Sequence, residues 1–512
     1  MQFKPTRKLL LIIMDGIGVS RHSQGNAVTS AAPSNLEKMW NTSPHTYLLA
    51  ASEAVGLPPA TNGNSEVGHL NIGAGRVMYQ NLPRINKSIA NGNFFKNQTL
   101  EEAYRHAKKN RSNVHIMGCL SDGAVHSDIS HFIATLKFFS QKKLKHSQVL
   151  IHAFTDGRDS PQKSAEKYLS ELESKINELG VGQLATVCGR SIAMDRNKTW
   201  DRTQKAYEML VNSKGEKFNN WEEVLQKSYS EGKTDEFIEP SILVKSPVSD
   251  KDVVLYLNFR SDRAVQLTQA FVDADFDNFT VKQFKNLFFA SMVEYKKDFP
   301  EKVIFPKEYI KLPLGRVISE EGLTQLRIAE SEKFPHVTYF LNGGISLINR
   351  GENRIEIPSE KGILWDEKPE MNSLTILDVL KERIAYDYYN FIALNLANGD
   401  MVGHTGNFEA TKLAINVLDY CIGELVKYMV ARGGTVVITS DHGNAEEVIN
   451  AETGKIDTEH SQNPVPFIII GNQLKKMQLP FGSLSDIAPT ILSLMGIDIP
   501  GEMLGKPLIP KI

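Results

Sequence analysis

Cysteine is scarce. The 512 residues hold three, Cys119, Cys188 and Cys421. So few, so widely spaced and odd in number, they build neither a disulfide framework nor a thiolate metal site, which points to a reducing cytoplasm. A net charge is also missing: 58 Lys and Arg stand against 60 Asp and Glu, for a formal −2. The chain therefore lacks the bulk positive field of a nucleic-acid binder, and no aromatic-basic surface stands out. Nor does any apolar run approach the roughly 20 residues that a membrane-spanning helix needs. The run Leu9–Met14, behind Lys4, Arg7 and Lys8, is short and ends in Asp15-Gly16 with no small-residue cleavage site. It reads as a buried strand, not a secretion signal. Long low-complexity segments and internal repeats are absent as well. What remains, 41% hydrophobic and 23% charged, is an ordinary globular composition at a length that calls for two domains or three.

Three apolar runs share one grammar. Leu9–Met14 is followed by Asp15-Gly16, Phe391–Leu396 by Ala397-Asn398-Gly399-Asp400, and Thr435–Thr439 by Ser440-Asp441-His442-Gly443. Each reads as a parallel-sheet strand ending at an aspartate in a glycine-containing loop. Ligands bind at the carboxyl ends of such strands, so Asp15, Asp400 and Asp441 converge on one expected site. One strand-end aspartate is ordinarily a turn or cap residue; three, two of them with histidines nearby, ask for more.

Residues 79 to about 312 carry a separate strand set, Val114–Leu120, Val149–Ala153, Gln183–Cys188, Val253–Asn258 and Leu287–Val293, with the helix Lys163–Leu179 between. That is a second α/β unit. Proline-bearing segments at Tyr79–Pro83 and Tyr309–Gly315 read as linkers, so this unit is inserted into the first. The expected division is 1–78 plus 316–512 for the outer domain and 79–315 for the insert. In the outer domain a helix over Ala410–Arg432, a strand over Pro464–Ile470 and a closing helix over Leu484–Met495 are expected.

Asp400 and His404 stand four residues apart, Asp441 and His442 are adjacent, and His460 follows in Thr458-Glu459-His460-Ser461. With Asp15 they make three carboxylates and three imidazoles, an oxygen and nitrogen set that suits Mn²⁺ or Zn²⁺ and suits Ca²⁺ poorly. The stretch Thr61–Arg76, TNGNSEVGHLNIGAGR, adds one hydroxyl, Ser65. Asn62-Gly63 reads as a tight turn and Ser65-Glu66 as a helix N-cap, where backbone N–H groups and the helix dipole would hold a phosphoryl group. Six ligands plus the Ser65 oxygen are enough for two ions, and a metal there would lower the serine pKa and activate it as a nucleophile.

The insert supplies the opposite charge. His126 sits in SDGAVHS, Arg158 and Asp159 in TDGRD, Arg190 and Arg196 in GRSIAMDR, and Arg260 and Arg263 in NFRSDR. Five arginines in such loops suit a small, highly anionic substrate, because guanidinium forks match phosphate and carboxylate. The bland alternative is a set of solvated arginines paired to neighbouring aspartates.

These motifs closely resemble those of the cofactor-independent (2,3-bisphosphoglycerate-independent) phosphoglycerate mutases of the alkaline phosphatase superfamily. The resemblance runs end to end: MDGIG, NGNSEVGHLNIGAGR, LSDGAVHS, HAFTDGRDSP, GRSIAMDR, NFRSDRA, QLRIAESEKFPHVTYFLNGG, NGDMVGHTG, TSDHGNAE and TEHSQNPVPF. It implies an alkaline-phosphatase-like doubly wound sheet domain with two Mn²⁺ ions, and an inserted α/β phosphotransferase domain. One ion would be held by Asp400, His404 and His460, the other by Asp15, Ser65, Asp441 and His442. His126, Arg158, Asp159, Arg190, Arg196, Arg260 and Arg263 would contact phosphoglycerate, and Lys333 would reach the phosphoryl group and Ser65. Ser65 would take the phosphoryl group from 3-phosphoglycerate and return it to the 2-hydroxyl, with Asp159 exchanging the proton while closure excludes water. A cytoplasmic monomer follows from the same resemblance. Ile17, Ala124, Asp128 and Ser191-Ile192 depart from the family pattern without touching a ligand or the nucleophile. A metal-dependent phosphatase, a phosphopentomutase-like enzyme and a non-catalytic anion-binding relative are the competing readings. The loops of the insert argue against the first two, and the intact Ser65 and metal ligands against the last.

Overall fold

A computed structural model describes residues 5–471 and 477–510. The chain forms two compact units, Met1–Gln80 with Tyr309–Ile512, and Asn81–Glu308. Residues 309–315 count with the first unit because they lead directly into its core: Pro313 precedes the helix Leu314–Glu320, whose Leu314, Val317 and Ile318 are buried there.

In the first unit an eight-stranded sheet runs in the order Glu352–Ile357, Gln325–Glu330, Phe391–Leu396, Leu9–Met14, Thr435–Thr439, Val465–Ile470, His45–Leu49 and Gly482–Ser483. The first five strands are mutually parallel, and Val465–Ile470 runs antiparallel to both of its neighbours. Leu9–Met14 sits in the middle, and no residue of it is more than 1% exposed. Its unbroken apolar run has a direct cause. Leu9, Leu11 and Ile13 enter one core with Ile487 and Ile491, while Leu10, Ile12 and Met14 enter another with Ile415, Leu418 and Ile422 of the helix Phe408–Val430. A parallel sheet covered on both faces needs apolar side chains at every position, each worth about 1.5–3 kcal/mol when buried.

Register then builds the site. Met14 pairs with Leu396, and Ile13 pairs with Thr439. The three strands therefore finish side by side and release Asp15, the Asn398–Gly403 helix and Asp441-His442 from one edge of the sheet.

Helix ends differ from the sequence reading by a few residues. The long helix is Phe408–Val430, begun by the Asn407 side chain, which accepts from Ala410 N at 3.2 Å. The closing helix is Ile487–Met495, preceded by a separate 3₁₀ turn over Leu484–Asp486.

The second unit is another eight-stranded sheet, in the order Lys302–Phe305, Phe288–Val293, Val253–Tyr256, Val114–Leu120, Val149–Thr155, Gln183–Gly189, Ser241–Ile242 and Glu216–Lys217. Its first six strands are parallel. Their carboxyl ends lead into the loops holding His126, Asp159, Arg190 and Arg260. Helices including Gln98–Asn110, Ile129–Gln141 and Ala165–Leu179 close one continuous core around it. All three cysteines are buried and free. Among the described residues no helix is long and apolar enough to cross a membrane.

Candidate metal centre

The helix that carries Ser65 is Ser65–Ala74, and its cap is Asn64, not Ser65. The Asn64 side chain accepts from Val67 N at 2.9 Å, which leaves the serine hydroxyl, at the first helical position, available to other partners. The segment Thr61–Asn64 contains no turn. Gly63 serves close approach instead: a Cβ there would lie 2.4 Å from Ala50 O and 2.8 Å from His442 Cβ. Gly68, one turn into the helix, is constrained in the same way, 2.6 Å from Asp441 O. These two glycines let the nucleophile's segment lie flat against the Asp441-His442 loop.

Ser65 Oγ is 2.9 Å from His442 Nε2, 2.8 Å from Lys333 Nζ and 3.3 Å from Asp15 Oδ1. Lys333 arrives from the turn after strand Gln325–Glu330 and donates to Asp15 at 2.7 Å and Asp400 at 2.6 Å. Asp400, His442 and His460 bring ligand atoms within 4.8 Å of one another, and Asp15, Asp441 and His442 do the same. His442 thus belongs to both groups. His404 joins the first: its Nε2 is 3.2 Å from Asp400 Oδ1 and 3.0 Å from His460 Nε2.

The residues fit divalent cations on two grounds. Three buried carboxylates face a single ammonium, an excess of negative charge that a low-dielectric interior does not tolerate alone. The imidazoles are also oriented as ligands. His404 Nδ1 donates to Thr458 O at 2.7 Å and His460 Nδ1 to Gly63 O at 2.9 Å, so both Nε2 lone pairs turn on the same Asp400 oxygen, itself 3.0 Å from His460 Nε2. Lone pairs converging in this way call for a cation between them. The donor set is nitrogen and oxygen without sulfur, as Mn²⁺ and Zn²⁺ accept.

Electrostatics follow the same geometry. The Asp400 hydrogen bond raises His404 above the usual histidine range, and it also raises His460 although burial works against it. Burial raises the Asp15 carboxyl, with Asp441 adding to it. Burial disfavours the Lys333 ammonium, but Asp15, Asp400 and Asp441 outweigh it and hold Lys333 above the usual lysine range.

In the second unit the Arg190 guanidinium, 2% exposed, bridges Asp156 and Asp159. His126 Nε2 is 3.7 Å from Asp159 Oδ2, and His126 Nδ1 is 3.7 Å from Asp262 Oδ1. Asp262 also holds Arg196 at 2.6 Å and Arg260 at 3.1 Å. Arg263 donates to Met194 O at 3.3 Å, and burial followed by the charges of Arg190, Arg196 and Arg158 lowers its pKa. Arg158 is more exposed and lies 3.6 Å from Glu236. Burial, then the Arg190 charge, pushes His126 down to about 4. All seven predicted residues therefore lie in the segments that follow the strands at one end of this sheet, with Arg190 held by Asp156 and Arg196 and Arg260 by Asp262, two aspartates that sequence reasoning passed over.

In the first unit it passed over three others. Glu446 accepts from Gly18 N at 2.8 Å, Asn444 N at 2.9 Å and Asn463 Nδ2 at 3.0 Å, tying together the loops that carry Asp15, His442 and His460. His69 and Asn395 lie fully buried behind Asp15 and Asp441.

A family model for the BPG-independent PGAM N-terminus matches residues 85–297, and a Sulfatase model matches residues 409–497. Over 509 residues the chain is 46% identical to the 2,3-bisphosphoglycerate-independent phosphoglycerate mutase of Clostridium botulinum strain Langeland, covering 98% of this chain and 99% of that one. The chain belongs to this family. A mutase of the same description from Methanosarcina acetivorans is 48% identical over 99% of both chains. A crystal structure of Leishmania mexicana phosphoglycerate mutase at low cobalt concentration matches with a TM-score of 0.55 and 29% identity, over 99% of this chain and 98% of that one. The α/β architecture of the chain is thus shared with that solved phosphoglycerate mutase.

Proposed function

We propose that the chain interconverts 3-phosphoglycerate and 2-phosphoglycerate without bisphosphoglycerate, as a cytoplasmic monomer of glycolysis and gluconeogenesis, with Ser65 carrying the phosphoryl group between the two hydroxyls. The observation that carries this reading is the setting of Ser65 Oγ between His442 Nε2 at 2.9 Å and Lys333 Nζ at 2.8 Å. Two divalent ions, Mn²⁺ by this reading, held by Asp400, His404 and His460 and by Asp15, Ser65, Asp441 and His442, would supply positive charge that acidifies the serine hydroxyl and neutralises phosphoryl oxygens.

The protein's own groups account for the rest. Ser65 at the first helical position attacks phosphorus from the positive end of its helix dipole, which favours an anion. The Lys333 ammonium meets the equatorial oxygens as charge spreads over them. In the insert, the domain that carries the phosphotransferase role in this proposal, Arg158, Arg190, Arg196, Arg260 and Arg263 hold the carboxylate and phosphate of phosphoglycerate. Asp159 exchanges the proton with the glycerate hydroxyls, and His126 beside it donates a hydrogen bond. Free glycerate must stay bound between the two transfers, because water reaching the phosphoserine would make the enzyme a phosphatase.

The test is a coupled assay of 3-phosphoglycerate conversion without bisphosphoglycerate, in chelator with and without added Mn²⁺, alongside Ser65→Ala. Metal-dependent turnover that vanishes in the variant is expected. A requirement for bisphosphoglycerate, or release of inorganic phosphate in place of the isomer, overturns the mutase reading in favour of a metal phosphatase.

A further inference from the structure

Behind the Asp15–Asp441 pair runs a buried chain of hydrogen bonds that the phosphoryl-transfer steps do not use. Asn395 lies on strand Phe391–Leu396, opposite Ile13. His69 lies one turn beyond Ser65 on its helix. The Asn395 amide nitrogen is 2.6 Å from Asp15 Oδ2 and 3.1 Å from His69 Nε2. His69 Nδ1 is 2.8 Å from Ser65 O and 3.2 Å from Asp441 Oδ2. Directions follow from what each atom can do. The Asp15 oxygen and the Ser65 carbonyl only accept, so the amide N–H faces Asp15 and the His69 proton sits on Nδ1. The His69 Nε2 lone pair then takes the second amide N–H. Both N–H groups of Asn395 and both ring nitrogens of His69 are committed.

The chain has a consequence for both carboxylates. With Asn395 anchoring Oδ2, the Asp15 carboxylate is turned so that Oδ1 faces Ser65, Lys333 at 2.7 Å and His442 at 3.5 Å. At the other end, the His69 ring, anchored by its Nδ1 to the backbone of the nucleophile, packs 3.2 Å from the Asp441 oxygen that lies 3.5 Å from His442 Nε2. None of these contacts reaches His404 or His460.

We propose that Asn395 and His69 are positioning residues that fix the carboxylate rotamers of Asp15 and Asp441 for the ion on the Ser65 side, and leave the Asp400–His404–His460 ion alone. This rests on the two-ion reading above. A carboxylate released from such an outer partner rotates, and its ion is held about 10- to 100-fold less tightly.

The test is equilibrium titration of the full chain with Mn²⁺, following free Mn²⁺ by electron paramagnetic resonance, for wild type, Asn395→Ser, His69→Phe and His69→Asn. Wild type takes up two ions. Asn395→Ser and His69→Phe should loosen one of them about 10- to 100-fold and leave the other at wild-type affinity. His69→Asn, whose amide places a donor near the Nδ1 position, should recover most of the loss. If His69→Phe fails to fold, Asn395→Ser decides alone. Equal loosening of both ions, the signature of a general packing defect, overturns the proposal, and so does wild-type affinity at both sites. Fewer than two ions on wild type overturns the two-ion reading itself.

Discussion

Lys333 Nζ donates to Ser65 Oγ at 2.8 Å, and the same ammonium bridges Asp15 and Asp400. One side chain thus neutralises the buried carboxylates and stands where a phosphoryl oxygen arrives. Replacing it with Met should lower kcat by about a hundred- to a thousandfold, the scale of losing one preorganised donor at developing charge. Because it leaves buried carboxylates unpaired, it should also destabilise the metal-free protein by about 3–5 kcal/mol. Added Mn²⁺ should restore part of that stability by binding only the folded state. Urea unfolding in chelator and in Mn²⁺, beside single-turnover phosphoryl transfer, checks both halves. An unchanged kcat would remove Lys333 from the transfer step.

Arg190 makes the equivalent prediction in the second unit. Its Nη1 reaches Asp156 and Asp159 at once, at the end of a planar fork that extends further than a lysine stem and is held in one orientation. Arg190→Lys should therefore turn Asp159 loose and lower kcat at least about tenfold, by more than it raises KM, since Asp159 is proposed to move the proton. Steady-state kinetics in both directions reads the split. A change confined to KM would leave Arg190 a substrate clamp with no effect on Asp159.

Gly68 tests the packing of the nucleophile's helix. A methyl group there would sit 2.6 Å from Asp441 O and 2.8 Å from Asp441 Cβ. Backbone atoms cannot swing away, so Gly68→Ala should shift the helix or the Asp441 loop, at about 1–3 kcal/mol of stability. Its kcat should fall further than that of an exposed Gly→Ala control such as Gly501→Ala, where nothing lies within 4 Å of the added carbon. Thermal melts and kcat for the two variants decide it.

What could be read in advance and what could not divide along physical lines. Leu9–Met14, Phe391–Leu396, Thr435–Thr439 and Val114–Leu120 have the ends the sequence indicates, because a strand buried on both faces is predominantly apolar and gives way to a run of polar and glycine residues at its end. Asp15, Asp400 and Asp441 were legible for the same reason, as the first charges past those ends. The Asn64 cap was not, since Asn64 and Ser65 are both good caps and only the fit of Ser65 Oγ among Lys333 and His442 separates them. Asn395 was hidden inside an apolar strand, and His69 inside a glycine-rich helix, where a lone polar residue gives no sign of its partner. Their role depends on register between strands that are more than 300 residues apart in the chain.

The metal-site imidazoles set a pH limit. His404 and His460 are raised above the usual histidine range, chiefly through Asp400, while a metal needs them unprotonated. Protons therefore compete from above pH 6.5 downward, and Mn²⁺ affinity should fall steadily on acidification through neutrality. The metal-free protein behaves oppositely at these two groups: their ion pairs with Asp400 contribute stability below the unfolded pKa and lose it as pH rises. Mn²⁺ titrations at pH 8, 7 and 6 measure the first effect. A flat affinity across that range would exclude His404 and His460 as ligands.

Buried histidines away from the centre give stability its own pH dependence, with the opposite sign. His152 and His131 in the second unit are almost fully buried, and burial holds His152 well below the usual histidine range and His131 down to about 4. His152 Nε2 is 2.9 Å from His115 Nδ1 and its Nδ1 is 2.9 Å from Thr186 Oγ1, with Asp252 Oδ2 3.3 Å from His115 on the far side. His131 Nε2 faces Asn86 Oδ1 at 2.8 Å. An unfolded chain takes up protons at both near pH 6.5, where the folded chain refuses them. Their contribution is therefore complete above that pH and drains away as the pH falls toward the folded values. Each group gives at most about 1.4 kcal/mol per pH unit. Amide hydrogen exchange on strands Val114–Leu120 and Val149–Thr155 of the full chain, at pH 7.5 and 5.0 after correction for intrinsic rates, should show protection falling with acid. His152→Gln should flatten that fall, because an amide holds the same kind of contacts without a proton to gain. Equal slopes in the two proteins would place the acid sensitivity elsewhere.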